Sequence, residues 1–317
     1  MWAYIFRRLI FNIPVFLGIL LLVMLALRVN DPVWVRLGKN ATQEAYEIEE
    51  ARLGLDRPFF VQYFEFLGDV VTLNFDQESW GQKGYTVGER LGSAIKPSLA
   101  ITVPALVLTS LISIGIGLIS SFFRGGKVDR TLVILAVLGM SVSFLVYIIL
   151  GQYFGAYKIL SETGTEVFAI SGYEPGFQNW FKYCLLPVLI SVIVAMGYDT
   201  RFYRAVMVEE TTRDYIVTAR AKGASRRKIL FVHMLKNAMI PIITRIMITL
   251  PFLIVGSILL EMYFSIPGMG RTLITAINDK DFPVIQVFTA MFAVVFILSN
   301  ILTDVLYTLV DPRVRLS

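Results

Sequence analysis

Apolar runs long enough to cross a bilayer alternate with polar connections over most of the chain. About 20 helical residues span the ~30 Å hydrocarbon core of a membrane. The stretches 9–27, 98–123, 131–153, 183–200, 238–260 and 284–310 are near that length, so about six transmembrane helices are expected. The third fades into polar residues over 151–160. Pro14, Pro104, Pro187, Pro241 and Pro251, with Gly115 and Gly117, lie inside these runs and suit kinks and close helix packing. The first run is too long for a secretory signal core and no small-residue cleavage site follows it, so it is read as an uncleaved span.

Two polar stretches stand out. The first, 28–97, mixes both charge signs and carries Phe59, Phe60, Tyr63, Phe64 and Phe66. It ends in a glycine-rich loop at 80–84, and 45–53 and 58–71 read as helices within a small external subdomain. Its aromatic side chains suit packing or the membrane interface better than a ligand platform. The second, 209–241, is a basic helix–turn–helix pattern. Tyr215, Ala219 and Lys222 share one stripe, with Ile216 and Gly223 beside it. Gly223 is suited to end the first helix in a left-handed conformation. A second helix is expected from Ser225, running unbroken into the span that begins near Asn237.

Composition and charge sharpen this picture. Apolar residues make up 56% of the chain and charged residues 17%, against about 45–50% and about 25% in soluble domains. The net charge is +5, and its distribution is more informative than its sum. Arg7 and Arg8 precede the first span, and Arg124, Lys127 and Arg130 fill the loop between the second and third. Arg201, Arg204, Arg213, Arg220, Lys222, Arg226, Arg227, Lys228 and Lys236 fill the next loop on that side, and Arg313 and Arg315 follow the last span. The alternate loops, 161–180 and 261–283, have almost no excess of Lys or Arg. By the positive-inside rule both termini are cytoplasmic.

Several chemistries are excluded. The lone Cys184 and lone His233 leave no internal disulfide and no zinc or iron site built by the protein alone. No Gly-x4-Gly-Lys-Ser/Thr loop, His-Glu-x-x-His, Gly-x-Ser-x-Gly or Ser–Lys dyad is present. The chain is therefore not read as an enzyme, and no catalytic residue, metal or cofactor is assigned to it. Nucleic acid is a poor partner, because no aromatic interleaving or binding fold accompanies the basic residues. Uphill transport would need ions or a separate energised subunit, and the few ionisable groups in the spans favour the subunit.

The remaining constellations leave alternatives open. The basic hairpin is either only the positive-inside signal or an interaction surface, and its length, glycine punctuation and apolar stripe favour the surface. Acidic lipid headgroups suit part of it. Asp304 shares a helix face with Asn300 and Tyr307, as a polar cluster tying the last span to its neighbours or as part of a path. Glu261 opens the loop EMYFSIPGMGR, where Pro267, Gly268 and Gly270 predict irregular backbone, at the mouth of a pathway or merely at a turn. Asp199 lacks the second membrane carboxylate that an aspartyl protease needs.

At Asp214-Tyr215-Ile216-Val217-Thr218-Ala219-Arg220-Ala221-Lys222-Gly223, then His233-Met234-Leu235-Lys236-Asn237-Ala238 and Pro241, the chain resembles the coupling loop of ABC importer permeases of the dipeptide/oligopeptide/nickel type. The stretch Tyr4 to Pro14, LGLDRPFFVQY from Leu53, EMYFSIPGMGR and the final DPRVR resemble the same family in the same order. The resemblance implies an all-α polytopic inner-membrane subunit: the first span over 1–27, the external subdomain over 28–97, and a five-helix core over 98–317 that contains a coupling loop at 201–237. It implies a cytoplasmic coupling helix over 209–222 that enters a cleft of an ATP-binding subunit, with Glu209, Asp214, Tyr215, Thr218, Ala219, Arg220, Ala221, Lys222, Gly223 and Arg226 as coupling residues. It also implies partners: two ATP-binding subunits that hold ATP and Mg, a second and different permease subunit, an external solute-binding protein and membrane lipid. Peptides are the expected cargo, with nickel, sugars or another small solute as the alternative. An ion-coupled secondary transporter is the reading from another class. The family's Gly-Asp-Pro after the first span is here Asn30-Asp31-Pro32, the proline of Ser-x-Pro-x-Phe is Val142, and the loop 161–182 is unusual. These departures bear on cargo more than on architecture.

Overall fold

The computed structural model describes residues 2–29, 31–38 and 41–310, with side chains for all of these except 2–5 and 254–255. Asn30, the Tyr4 side chain, and the C-terminal motif 311–315 with Arg313 and Arg315 lie outside the described residues. The fold is all-α, and among the described residues the only β pairing is one bridge between Glu78 and Thr86. In chain order the helices are α1 Trp2–Leu27, α2 Pro32–Leu37, α3 Gln43–Arg52, α4 Phe59–Thr72, α5 Val87–Phe122 and α6 Lys127–Ser141. There follow α7 Phe144–Leu150, α8 Lys158–Thr163, α9 Phe177–Tyr183, α10 Leu185–Glu210, α11 Asp214–Ala221 and α12 Arg226–Lys228. The last are α13 Leu235–Asn237, α14 Met239–Thr249, α15 Phe252–Val255, α16 Ile258–Tyr263, α17 Met269–Asn278 and α18 Phe282–Val310. The stretches Gly151–Tyr157 and Ile229–Met234 are π-helical.

Among the described residues, five helical stretches are long and apolar enough to cross a membrane: Phe6–Leu27, Val87–Phe122, Phe144–Thr163, Leu185–Glu210 and Phe282–Val310. A sixth arises if the pair Arg226–Asn237 and Met239–Thr249, bent by 55°, is one span. The expected number therefore stands, but several expected boundaries change. The second span's helix begins at Val87 rather than near residue 98, because Thr86 and Glu89 form a capping box. The Thr86 hydroxyl accepts from Glu89 N–H at 3.1 Å, and the Glu89 carboxylate accepts from Thr86 N–H at 3.0 Å. The third span is not one helix over 131–153. Its backbone turns extended at Val142 and Ser143, and the Tyr147 hydroxyl bridges the break to the Gly139 carbonyl at 2.8 Å.

The fifth span is the largest departure. An unbroken helix from Ser225 and a single span over 238–260 are both replaced by bent pieces. Pro241 has no N–H for the Asn237 carbonyl, and the chain bends just before it. Pro251 removes another donor, and Gly256 takes φ +72°, a value that a side chain would strain. The loop after the fifth span is also more regular than its glycines suggest, since Gly268 caps α17 and Gly270 lies inside it. In α5, Gly117 meets the backbone of Tyr203 and Arg204, where a Cβ would sit 3.1 Å away, as close packing requires.

The chain forms two compact units: Met1–Lys96 with Pro267–Ile301, and Pro97–Ile266 with Leu302–Ser317. In the first unit, Asp31 caps α2 by accepting from Val33 N–H at 2.8 Å, and its other oxygen accepts from the Tyr46 hydroxyl at 2.8 Å. Helix α4 buries Tyr63, Phe66 and Val70 while Phe60 and Phe64 stay exposed. The Tyr63 hydroxyl donates to the Leu17 carbonyl of α1 at 2.8 Å. Asp281 is fully buried and draws the 79–81 loop onto the start of α18. It accepts from Arg90 at 2.6 Å, from the Ser79 hydroxyl at 2.5 Å, and from the N–H groups of Trp80 and Gly81 at 3.1 and 3.0 Å. The second unit has two apolar cores, one around Ile148, Leu186, Val188 and Phe264, the other around Tyr203, Met207, Ile216 and Met234.

Candidate functional site

The basic stretch folds as a short helix pinned on one face. Helix α10 continues to Glu210, well beyond the expected end of the fourth span, and residues 211–213 turn the chain into α11. A single helix over 209–222 is therefore not formed: Glu209 lies in the last turn of α10, where its carboxylate pairs with Arg213 at 2.6 Å. Asp214 opens α11 and Arg220 lies in its last turn, each complementing the helix dipole. Lys222 caps the helix, and Gly223 at φ +76° closes a Schellman motif. Its two bonds run from Ala224 N–H to the Ala219 carbonyl at 3.0 Å and from Gly223 N–H to the Arg220 carbonyl at 2.9 Å.

Helix α11 buries Ile216 and Ala219 in the core with Tyr203, Met207, Ile229 and Met234. Its other face exposes Val217, Thr218, Arg220 and Ala221, with Val217 60% accessible. Tyr215 lies between the two faces and donates its hydroxyl to the Glu210 carboxylate. Burial, then the Glu210 hydrogen bond, pushes the Tyr215 phenol well above its usual range. Arg226 sits on α12, past the glycine, with its guanidinium 5.7 Å from the Phe122 ring centre. Of the ten expected coupling residues, Asp214, Tyr215, Thr218, Ala219, Arg220 and Ala221 thus share α11. Lys222 and Gly223 form its cap, while Glu209 and Arg226 belong to the flanking helices.

A second cluster, which the sequence did not single out, joins α5, α6 and α10. Asp129, at the start of α6, is buried and accepts from Arg204 Nε at 2.6 Å and Nη2 at 2.8 Å. It also accepts from the Ser120 hydroxyl and from Gly125 N–H at 2.9 Å. The Arg204 hydrogen bonds, helped by Ser120 and Gly125 against the cost of burial, hold the Asp129 carboxyl well below the usual carboxylate range. One visible signal was available: Asp129 is the lone acid in the basic loop RGGKVDR.

The intramembrane candidates resolve differently from their sequence readings. Asp199 on α10 pairs with Arg245 on α14, which donates from Nε at 2.9 Å and from Nη2 at 2.8 Å to the same oxygen. Arg245 was not anticipated, although a charge at that depth is a functional candidate. The Tyr307 hydroxyl shares a 2.5 Å hydrogen bond with Thr244, tying the last span to α14, and Asp304 lies one turn earlier. Glu261 does not open a loop; it is fully buried inside α16 and accepts from the Ser98 hydroxyl at 2.6 Å. A Cβ on Gly256 would collide with that carboxylate, a second reason for glycine there. The loop 161–182 folds back on its own unit through Ala169 N–H to the Lys182 carbonyl at 2.9 Å and Gly172 N–H to the Phe264 carbonyl at 2.7 Å. Among the described residues, no group of three His, Cys, Asp or Glu side chains could hold a metal ion.

Comparison with known proteins gives this arrangement a family. Residues 113–316 match the profile of the binding-protein-dependent transport system inner membrane component, and residues 1–85 match the profile of its N-terminal region. A probable peptide ABC transporter permease protein of Sinorhizobium fredii is 34% identical over 99% of this chain and 100% of its own length. A glutathione transport system permease protein of Salmonella choleraesuis is 32% identical over 99% of both chains. A dipeptide transport system permease protein of Alkalihalophilus pseudofirmus is 30% identical over 99% of this chain and 100% of its own. The inward-facing MetNI methionine ABC transporter contains a chain of similar fold, with TM-score 0.53 at 16% identity, covering 70% of this chain and 96% of that one. The full-length match and the multi-span helical fold make this chain a member of the binding-protein-dependent transport system inner membrane component family, the permease component of an ABC importer.

Proposed function

We propose that this permease passes peptides across the inner membrane and receives its driving motion through α11. The observation that carries the coupling role is the division of α11 into a face anchored on Met207, Ile229 and Met234 and a face of Val217, Thr218, Arg220 and Ala221 left exposed. A short helix held this way acts as a rigid knob, and a groove in an ATP-binding subunit is its natural counterpart. Asp214, Tyr215, Lys222, Gly223 and Arg226 set its ends and its exit, and Glu209 braces the turn before it through Arg213. Peptides are favoured as cargo because the relatives at 30–34% identity are named for peptides, dipeptides and glutathione.

In this reading the assembly holds two ATP-binding subunits that carry ATP and Mg, a second permease and an external solute-binding protein. This chain has no ATPase site of its own, and both its termini face the cytoplasm. Closure of the nucleotide-binding pair moves the two α11 knobs, and the Arg204–Asp129 clamp passes that motion from the loop to α10 and α6.

The test is binding-protein-stimulated ATP hydrolysis and peptide uptake by the assembled complex in liposomes. Reversal of charge in Arg220→Glu, and separately Gly223→Pro, is expected to lower both rates about tenfold or more while membrane insertion is unchanged. Normal rates in both variants would remove the coupling role. Uptake of a metal ion or sugar in place of peptides would remove the cargo assignment and leave the coupling role standing.

A further inference from the structure

We propose that the cavity between the end of α5 and the α11–α12 turn binds the phosphate head of an acidic phospholipid. The cavity has a volume of about 590 Å³, within the ~300–1,000 Å³ range of small-molecule sites. Arg124, Arg220 and Arg226 line it with Thr211 and Thr212, and no Asp or Glu is among its described lining residues. None of the three arginines forms an ion pair among the described residues. Arg124 reaches the Thr211 hydroxyl at 3.2 Å and Arg226 stacks on Phe122, which leaves most guanidinium N–H donors of the three unused by the protein. Three such forks over hydroxyl groups recognise a phosphate, because guanidinium donors match its oxygens two at a time.

The floor distinguishes a lipid from a protein carboxylate. Phe122, Ile216, Ile229, Leu230 and Met234 form it. Helix α5, apolar and long enough to cross a membrane, ends at Phe122, so the cavity sits where that span ends. Phe123 and Phe231, chain neighbours of lining residues, are 47% and 59% exposed. Apolar surface beside a basic cavity at the end of a span favours acyl chains beneath a charged headgroup. A bound lipid would join the 121–124 turn to α11 and α12 through its phosphate.

The test is native mass spectrometry of the full chain, purified without its partner subunits from bilayers of equal phosphatidylglycerol and phosphatidylcholine. Lipid occupancy of the isolated chain is the readout, so the result is separable from any failure of α11 to dock an ATP-binding subunit. The wild type is expected to retain phosphatidylglycerol about tenfold over phosphatidylcholine, and R220Q/R226Q to lose that preference. Thr212→Trp, which fills the cavity and keeps every charge, is expected to lose it as well. The control R227Q/K228Q, on the same helix but away from the lining, is expected to keep it. Equal retention of the two lipids by the wild type would overturn the proposal. So would an equal loss in the control pair, or full displacement of the lipid by inorganic phosphate at the same concentration. Unchanged lipid retention in R220Q/R226Q, with weakened binding of the ATP-binding subunit, would overturn it in favour of a protein carboxylate.

Discussion

Asp281 in one unit and Asp129 in the other are held by the same kinds of group: one arginine, one serine hydroxyl and main-chain N–H donors. They differ in how completely the protein encloses them. The Asp281 side chain is fully buried, its partner Arg90 is only 9% exposed, and two N–H groups of the 79–81 loop complete the cage. Asp129 has one such N–H, from Gly125, and its partner Arg204 is 30% exposed. A buried ion pair is costly to break, because the survivor is left uncompensated in a medium that solvates it poorly. Where one partner is partly open to water, as Arg204 is, that partner is re-solvated as the pair parts. Asp281 is therefore built as a permanent staple and Asp129 as a grip with one side open to water.

The contrast can be attacked in order of expected effect. Asp281→Ala strands the Arg90 guanidinium and is expected to cost about 3–5 kcal/mol in unfolding of the purified chain in detergent. A loss no larger than that of Asp129→Asn would erase the distinction between staple and grip. Asp129→Asn is expected to cost about 1–3 kcal/mol, since Arg204 regains water. It is also expected to slow ATP-coupled uptake more than its stability loss explains, measured in liposomes below the unfolding range.

The Asp129 carboxyl also sets a pH dependence. Its folded-state pKa is depressed, so its contribution is present above the unfolded value of about 3.9 and is lost as pH falls through the folded value. Unfolding midpoints of the wild type should therefore drop between about pH 5 and lower values. Asp129→Asn should remove its share of that slope, and an unchanged slope would show that the clamp is not formed. The smallest effects are expected from the hydroxyls. Ser79→Ala should cost about 1–2 kcal/mol and Ser120→Ala less than that, read from the same unfolding curves.

Hydropathy made most of the membrane architecture legible, because it acts over a whole helix and needs no knowledge of neighbours. Gly223 was equally readable, since only a left-handed helix end calls for glycine at that point. The start of α5 was also written in the chain, as the Thr86–Glu89 capping box, but the polarity of 87–97 concealed it. The break at Pro251 was read only as a tolerated kink, because sequence does not say whether neighbours will cover a freed carbonyl, and the left-handed turn at Gly256 went unread. The ion pairs were the least legible. Arg90 lies 191 residues from Asp281, Arg204 lies 75 from Asp129 and Arg245 lies 46 from Asp199, so only the folded helices bring them together. The family match also removes the ion-coupled secondary transporter as an account of this chain.

The most direct test of the coupling account is a photo-crosslinker placed at Val217, 60% exposed on α11, in the assembled complex. The same group at Phe154, 55% exposed on the π-helical stretch that includes Gly151, serves as the control. The account predicts a covalent product between position 217 and the ATP-binding subunit, changed in yield by ATP, and none from position 154. Reaction of position 217 with lipid alone, in a complex shown to be intact, would contradict it.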